Sequence, residues 1–189
     1  MRSRPPIPPI RVVVTGAEST GKSTLAAHLA QRFDGQLVPE RLRTFVEESG
    51  RLPTAADMEL VARQHCKYED ALLAATHCRL VVYDTDLYTI VIYTRRYFGS
   101  CPPWIEAEAD TRQADLYLLL APDIPWIPDP QREGPQTREK IQQVFESTFA
   151  PLVRPGRAVR IDGDGAVRRT RAELEVARVL ATADESRIR

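Results

Sequence analysis

The chain has 189 residues, 43% hydrophobic and 28% charged, close to the soluble globular average, which suits one ordinary domain and leaves no room for a second large one. Lysine plus arginine number 26 and aspartate plus glutamate 26, and this balance argues against a general nucleic-acid binder, which carries a basic excess. No stretch nears the roughly 18 consecutive apolar residues of a membrane span.

Residues 1–9 are proline-rich without the apolar centre of a secretory signal, and read as a flexible tail. Beyond them, apolar runs alternate with helical spacings, the pattern of an α/β domain with parallel strands. Residues 10–15 are a β-branched run closed by Gly16 and predict the first strand. Residues 22–33 place Leu25, Leu29 and Phe33 four apart, the inward face of a helix. Residues 36–38 predict a second strand. Pro39 suits a first helical turn, and Leu42, Phe45 and Val46 give that helix an apolar face as far as Gly50. Thr54 reads as the N-cap of a long helix marked by Val61, Gln64, Tyr68, Leu72 and Ala75.

The run at 80–83 is too short for a helix and predicts a buried strand ended by Asp84. A helix over 86–98 stops at Gly99, a shorter one follows Pro103, and 116–121 is another buried strand. Prolines at 122, 125, 128, 130 and 135 exclude regular structure from the next segment. Ile141, Val144, Phe145, Thr148 and Phe149 mark a helix beyond it, 158–161 a last strand, and Asp164 caps a closing helix through Ala183. With no repeat and no linker, residues 10–189 are expected to form a single domain.

Cys66, Cys78 and Cys101 are odd in number and show no Cys-x-x-Cys pair, so they read as free thiols in a reducing cytoplasm. His28, His65 and His77 lack metal-ligand spacing and read as helix-surface residues. Tyr93, Tyr97 and Phe98 read by default as packing on their helix.

Chemistry enters at Gly16-Ala17-Glu18-Ser19-Thr20-Gly21-Lys22-Ser23, a full match to G-x-x-x-x-G-K-[ST]. The glycines let the backbone wrap a phosphate with its N–H groups inward, and the following helix adds its positive end. Lys22 reaches the β- and γ-phosphates of a nucleoside triphosphate, and the Ser23 hydroxyl is a ligand for Mg²⁺. Chance produces such a match in a chain of this size on the order of one time in a hundred.

A P-loop also needs a carboxylate on a neighbouring strand. Asp84 and Asp86 stand at a strand's carboxyl end, where open α/β sheets place their sites, and Asp86 also suits a plain helix cap. Glu40 and Arg43, three apart, read alone as a solvated helix face. The segment 122–138 carries Trp126, Arg132 and Arg138, and suits a flap that brings an arginine over the transferring phosphoryl group.

Taken together, these pieces resemble the ribosylnicotinamide kinase domain of NadR-type NAD-biosynthesis regulators, within the P-loop nucleoside kinases. The resemblance rests on residues 16–24, on Pro39-Glu40-Arg41-Leu42-Arg43, on Asp84-Thr85-Asp86-Leu87, on Tyr97-Phe98-Gly99 with Cys101-Pro102, and on residues 115–126 leading into the arginine segment. It implies an NMP-kinase-like three-layer α/β/α fold with a five-stranded parallel sheet and a lid over about 122–138. It also implies transfer of the ATP γ-phosphoryl to the 5′-hydroxyl of nicotinamide riboside in the presence of Mg²⁺.

By the same resemblance, residues Gly16 through Thr24 bind ATP, and Lys22, Asp84, Asp86 and Arg132 carry the catalysis. Ser23 and Asp84 hold the metal, and Glu40, Arg43, Asp86, Tyr93, Tyr97 and Trp126 meet the nucleoside. Two positions depart from the family pattern: Tyr93 replaces a usual tryptophan, and Arg132-Glu133-Gly134 replaces Arg-Asp-Gly. The regulator's DNA-binding and adenylyltransferase parts have no counterpart in these 189 residues, so the expected partner is a small nucleoside rather than nucleic acid or membrane. Two other readings share the P-loop: a kinase for another nucleoside or deoxynucleoside, and a non-catalytic nucleotide-dependent module or GTPase-like switch. The Asn/Thr-Lys-x-Asp element that reads guanine is absent.

Overall fold

The structure, a computed structural model, describes residues 8–126, 135–153 and 155–188. Five strands, β1 (Ile10–Thr15), β2 (Gln36–Val38), β3 (Leu80–Asp84), β4 (Leu116–Leu120) and β5 (Ala158–Ile161), pair in parallel in the order β2-β3-β1-β4-β5. Seven helices lie among the described residues: α1 (Lys22–Arg32), α2 (Arg41–Ser49), α3 (Ala55–Ala75), α4 (Leu87–Phe98), α5 (Pro103–Thr111), α6 (Pro135–Val153) and α7 (Gly165–Ile188). The fold is the expected three-layer α/β/α arrangement.

The strands are apolar on both faces because both are covered, as parallel sheets require. Val12, Val14, Val82, Leu116 and Leu118 face α1 and α7, packing on Leu25, Leu29 and Val176. Their neighbours Val13, Val81, Tyr83, Tyr117 and Leu119 face the other way, onto Met58, Val61, Ile90, Ile141 and Phe145. Period-two alternation along each strand thus feeds two separate cores. Strand order reverses between β1 and its neighbours β3 and β4, which opens a crevice at their carboxyl ends.

Three sequence expectations change. Proline does not keep α6 from starting at Pro135, because a first helical turn has no partner for that N–H in any case, so 135–138 are helical and not part of an irregular segment. On α3 the inward face carries Met58, Val61, His65, Glu69 and Leu72, while Gln64, Tyr68 and Ala75 are exposed. His65 is accordingly 3% exposed, a core residue and not a surface one. The Thr54 cap is confirmed as a full capping box with Asp57. Cys66 and Cys78 are half-buried and Cys101 is buried, all three as free thiols. Among the described residues no helix is long and apolar enough to cross a membrane.

Candidate active site

The β1–α1 connection curls back on itself into a cup at its two glycines. Gly16 sits at φ 130°, and a Cβ there would come within 2.8 Å of the Leu120 carbonyl, so only glycine lets the loop lie this close to β4. Gly21 caps α1 in the left-handed region and Ser19 shares that hand at φ 52°. Thr20 Oγ1 and Lys22 Nζ both donate to the Ala17 carbonyl, each at 2.8 Å. Lys22 therefore stands folded back across the loop that its ammonium would leave to reach a phosphate.

Asp84 closes the other wall. It ends β3 directly beside β1, is 6% exposed, and lies beside the Ser23 hydroxyl. Its Oδ1 is buried with no hydrogen-bond partner. Burial pushes the carboxyl above the usual carboxylate range and the nearby Glu40 adds to this, while Ser23, Lys22 and Arg43 pull the other way. Thr85 follows at φ 68°, a rare conformation for a β-branched residue, and this turn sends Asp84 and Asp86 to different places.

A cleft of about 260 Å³ opens at the cup, just under the usual small-molecule range of about 300–1,000 Å³. The phosphate side contributes Glu18 and Lys22, α2 contributes Leu42, Arg43, Val46 and Glu47 behind its N-cap Glu40, and α4 contributes Tyr93 and Tyr97. Glu40 Oε2 accepts from Arg43 Nε at 3.2 Å. The Tyr93 and Tyr97 rings stack 5.8 Å apart, and buried Tyr93 donates to Glu18 Oε1 at 3.3 Å. A larger cavity of about 430 Å³ lies between α4, α5 and α6, but no residue of the loop lines it.

Of the residues singled out in sequence, Glu18, Lys22, Glu40, Arg43, Tyr93 and Tyr97 line this cleft, and Asp84 and Ser23 stand beside it. Asp86 does not. Its carboxylate caps α4, accepting from the Tyr88 and Thr89 N–H groups, and lines a small crevice with His65, Glu69, Tyr83 and Arg112. Trp126 does not line the cleft either; Arg138 lies 5.9 Å from its ring centre. Arg132 and most of the proposed lid lie outside the described residues. Three residues that sequence reasoning missed or left unplaced hold the cup: Gln142, whose Oε1 accepts from Ala17 N–H at 3.1 Å, and the buried Arg138 and Arg168. Gln142 had a visible signal, a polar residue on the apolar stripe between Ile141 and Phe145; Arg168 had none.

The comparisons with known proteins fit this geometry. Residues 11–165, a span that includes the cup, Asp84 and the cleft, match the family described as the AAA domain. The chain belongs to that family. This AAA-domain chain is also 32% identical over 123 residues to the trifunctional NAD biosynthesis/regulator protein NadR of Escherichia coli (strain K12), with 62% of the chain covered. The NadR of Salmonella typhimurium matches equally, also at 32% over 123 residues. The chain covers 30% of the length of these curated relatives. Among solved structures, a NadR protein in complex with NR superposes at TM-score 0.76, with 21% identity over 89% of this chain and 50% of that one. Thymidylate kinase from Ehrlichia chaffeensis superposes at 0.63 with 13% identity, over 92% of this chain and 100% of that one. The NadR-type resemblance read from the motifs is borne out, as is the P-loop kinase fold.

Proposed function

We propose that the chain is a P-loop kinase that passes the γ-phosphoryl group of ATP to the 5′-hydroxyl of nicotinamide riboside, giving the mononucleotide. The observation that carries this is the meeting of Lys22, Asp84 and Glu40 around one cup, in a chain 32% identical to NadR across that region. The N–H groups of the loop and the N-terminus of α1 receive the phosphates. Lys22 exchanges the Ala17 carbonyl for a phosphate oxygen, a short swing of a flexible side chain that strengthens as charge builds in transfer.

The residues that would hold Mg²⁺ are Ser23 and Asp84. They fit: a hydroxyl and a carboxylate side by side, with one buried carboxylate oxygen unpartnered, are hard oxygen donors of the kind this ion takes. When bound, the ion neutralises charge between the β- and γ-phosphates.

At the acceptor side Glu40, held by Arg43, orients the hydroxyl and takes its proton, or leaves that to Asp84. The O–P bond to the acceptor forms as the bond to ADP breaks, and the proton passes to the carboxylate. The stacked pair Tyr93–Tyr97 offers an aromatic wall for the base. In this reading the lid is the segment that carries Arg132, and it ends before α6, which begins at Pro135.

The test is ATP consumption against a panel of nucleosides, with the product identified by mass. Phosphorylation of nicotinamide riboside in preference to deoxyadenosine and thymidine is the expected result. Turnover of a deoxynucleoside alone would move the assignment to that class, and GTP hydrolysis without any acceptor product would remove the kinase.

A further inference from the structure

The cup is gripped from behind by two guanidinium groups that the G-x-x-x-x-G-K-[ST] motif does not contain. Arg138, in the first turns of α6, is 5% exposed; it donates from Nη1 to the Ile124 carbonyl and from Nη2 to the Ser19 carbonyl, both at 3.0 Å. Arg168, in the first turn of α7, is 4% exposed; it donates to the carbonyls of Thr20, Ala121 and Gly163, each at 2.7 Å, and pairs with Asp123. Ser19 and Thr20 are consecutive residues of the loop, so the two arginines hold consecutive peptides.

A planar trans peptide points its C=O and its N–H in opposite directions. A cation on the Ser19 carbonyl therefore sits opposite the Thr20 N–H, and one on the Thr20 carbonyl opposite the Gly21 N–H. Bonding at the carbonyl polarises the peptide and makes its N–H the stronger donor. Those N–H groups belong to the stretch that wraps a phosphate. The charge balance points the same way. Among the described residues Arg138 hydrogen-bonds to no carboxylate, and its Nε is buried without a partner. The neighbouring Glu139 charge offsets its burial in part, and a polyanion seated in the cup adds to that compensation.

We infer that Arg138 and Arg168 are positioning residues of the triphosphate site, bracing the peptides after Ser19 and Thr20 and raising the cup's affinity for polyphosphate from outside it. The two C-terminal helices α6 and α7 thereby become part of the donor site, with Gln142 of α6 holding Ala17 in the same grip. This rests on the cup taking a nucleoside triphosphate and not on the identity of the acceptor.

The experiment measures calorimetric binding of inorganic tripolyphosphate, ATP and adenosine to the full chain without acceptor, alongside circular dichroism. Arg138→Met should weaken tripolyphosphate and ATP by about tenfold or more, the loss of one charge-assisted hydrogen-bonding group, while adenosine changes little. Arg138→Lys and Arg168→Lys keep the charge but lose the forked grip, so each should fall between the parent and Arg138→Met. The lysine variants carry the test if the methionine variant does not fold. Unchanged tripolyphosphate affinity in the folded variants, or an equal loss for adenosine, overturns the positioning role. No binding of tripolyphosphate or ATP by the parent would instead overturn the triphosphate reading beneath it.

Discussion

The Tyr93 hydroxyl donates to Glu18 Oε1 at 3.3 Å, so a residue of α4 that lines the cleft is tied directly to a variable position of the P-loop. Burial, Glu18 and Glu40 together push the Tyr93 phenol well above its ordinary value, so it acts as a donor throughout the physiological range. Tyr93→Phe keeps the stacking on Tyr97 and removes only the tie. The expected change is a rise of about 2- to 10-fold in acceptor KM, with ATP affinity little altered. Initial-rate kinetics with each substrate varied in turn checks it. An equal effect on both substrates would place the bond in general folding instead.

The same cleft holds Glu18, Glu40 and Glu47 against Lys22 and Arg43. An acid-rich wall favours an acceptor whose ring carries a positive charge, as the pyridinium of nicotinamide riboside does. Glu18→Gln should narrow the preference for that cation over its neutral dihydro form, which has nearly the same shape. The ratio of kcat/KM for the two forms is the measurement, and an unchanged ratio in the variant removes Glu18 as a reader of charge.

Asp84 is the carboxylate most exposed to a direct test. Its buried Oδ1 lacks a partner and its other side meets Ser23, so Asp84→Asn should cut turnover by at least about a hundredfold while ATP remains bound. The sign of the pH effect follows from its surroundings. Burial and Glu40 hold the Asp84 carboxyl above the usual range, so metal binding should weaken on acidification sooner than for an ordinary carboxylate. Glu40→Gln removes the repulsion and should move that weakening to lower pH. Mn²⁺ titration in the presence of ATP reports this without requiring turnover. A shift to higher pH would contradict the arrangement.

The sheet was legible from sequence because parallel strands buried on both faces leave short apolar runs with sharp ends, as at 80–83 and 116–120. The loop was legible because its glycines answer to backbone geometry rather than to distant partners. Sequence left Asp86 open as a plain helix cap, and the left-handed turn at Thr85 that sends it there, away from Asp84, has no signal in the residue types. The face of α3 was misplaced for a related reason. His65 and Glu69 look solvent-facing, yet Glu69 accepts from Tyr83 Oη at 3.0 Å and from Arg112 Nη1 at 3.2 Å across the core. Polar groups satisfied by residues far along the chain break the apolar spacing that identifies a buried face.

Gly16 offers a stringent check on the cup's geometry. Gly16→Ala would bring a Cβ within 2.8 Å of the Leu120 carbonyl, at a φ of 130° that alanine avoids. Both the β1–β4 contact and the loop must then shift. The expected result is a loss of about 1–3 kcal/mol in urea unfolding together with loss of ATP binding. Retention of ATP binding at parental stability would mean that the loop is not held against β4.

The crevice beneath α4 predicts an unusual pH profile of stability. His65 is held down to about 4 by burial and by the Arg112 and Arg41 charges, from an ordinary 6.5. Asp86 is pushed up to about 7 by burial, with Glu69 adding to it, from an ordinary 3.8. The groups facing them are Arg11, Arg41, Glu69, Tyr83, Arg112 and Tyr117. Between about pH 4 and 6.5 the unfolded chain protonates His65 and the folded one does not, so this residue makes stability rise with pH. Between about pH 4 and 7 the folded chain holds a proton on Asp86 that the unfolded one has lost, so Asp86 makes stability fall with pH. The two slopes oppose over nearly the same window, each at most about 1.4 kcal/mol per pH unit. Relative to the parent, His65→Gln should therefore decline between about pH 4 and 6.5. Asp86→Asn, which retains a capping side chain, should rise relative to the parent across about pH 4 to 7. Urea midpoints across the range, taken as differences from the parent so that other carboxylates cancel, decide it. Difference curves that stay flat for both variants would mean that the folded chain neither keeps His65 neutral nor keeps Asp86 protonated in this window.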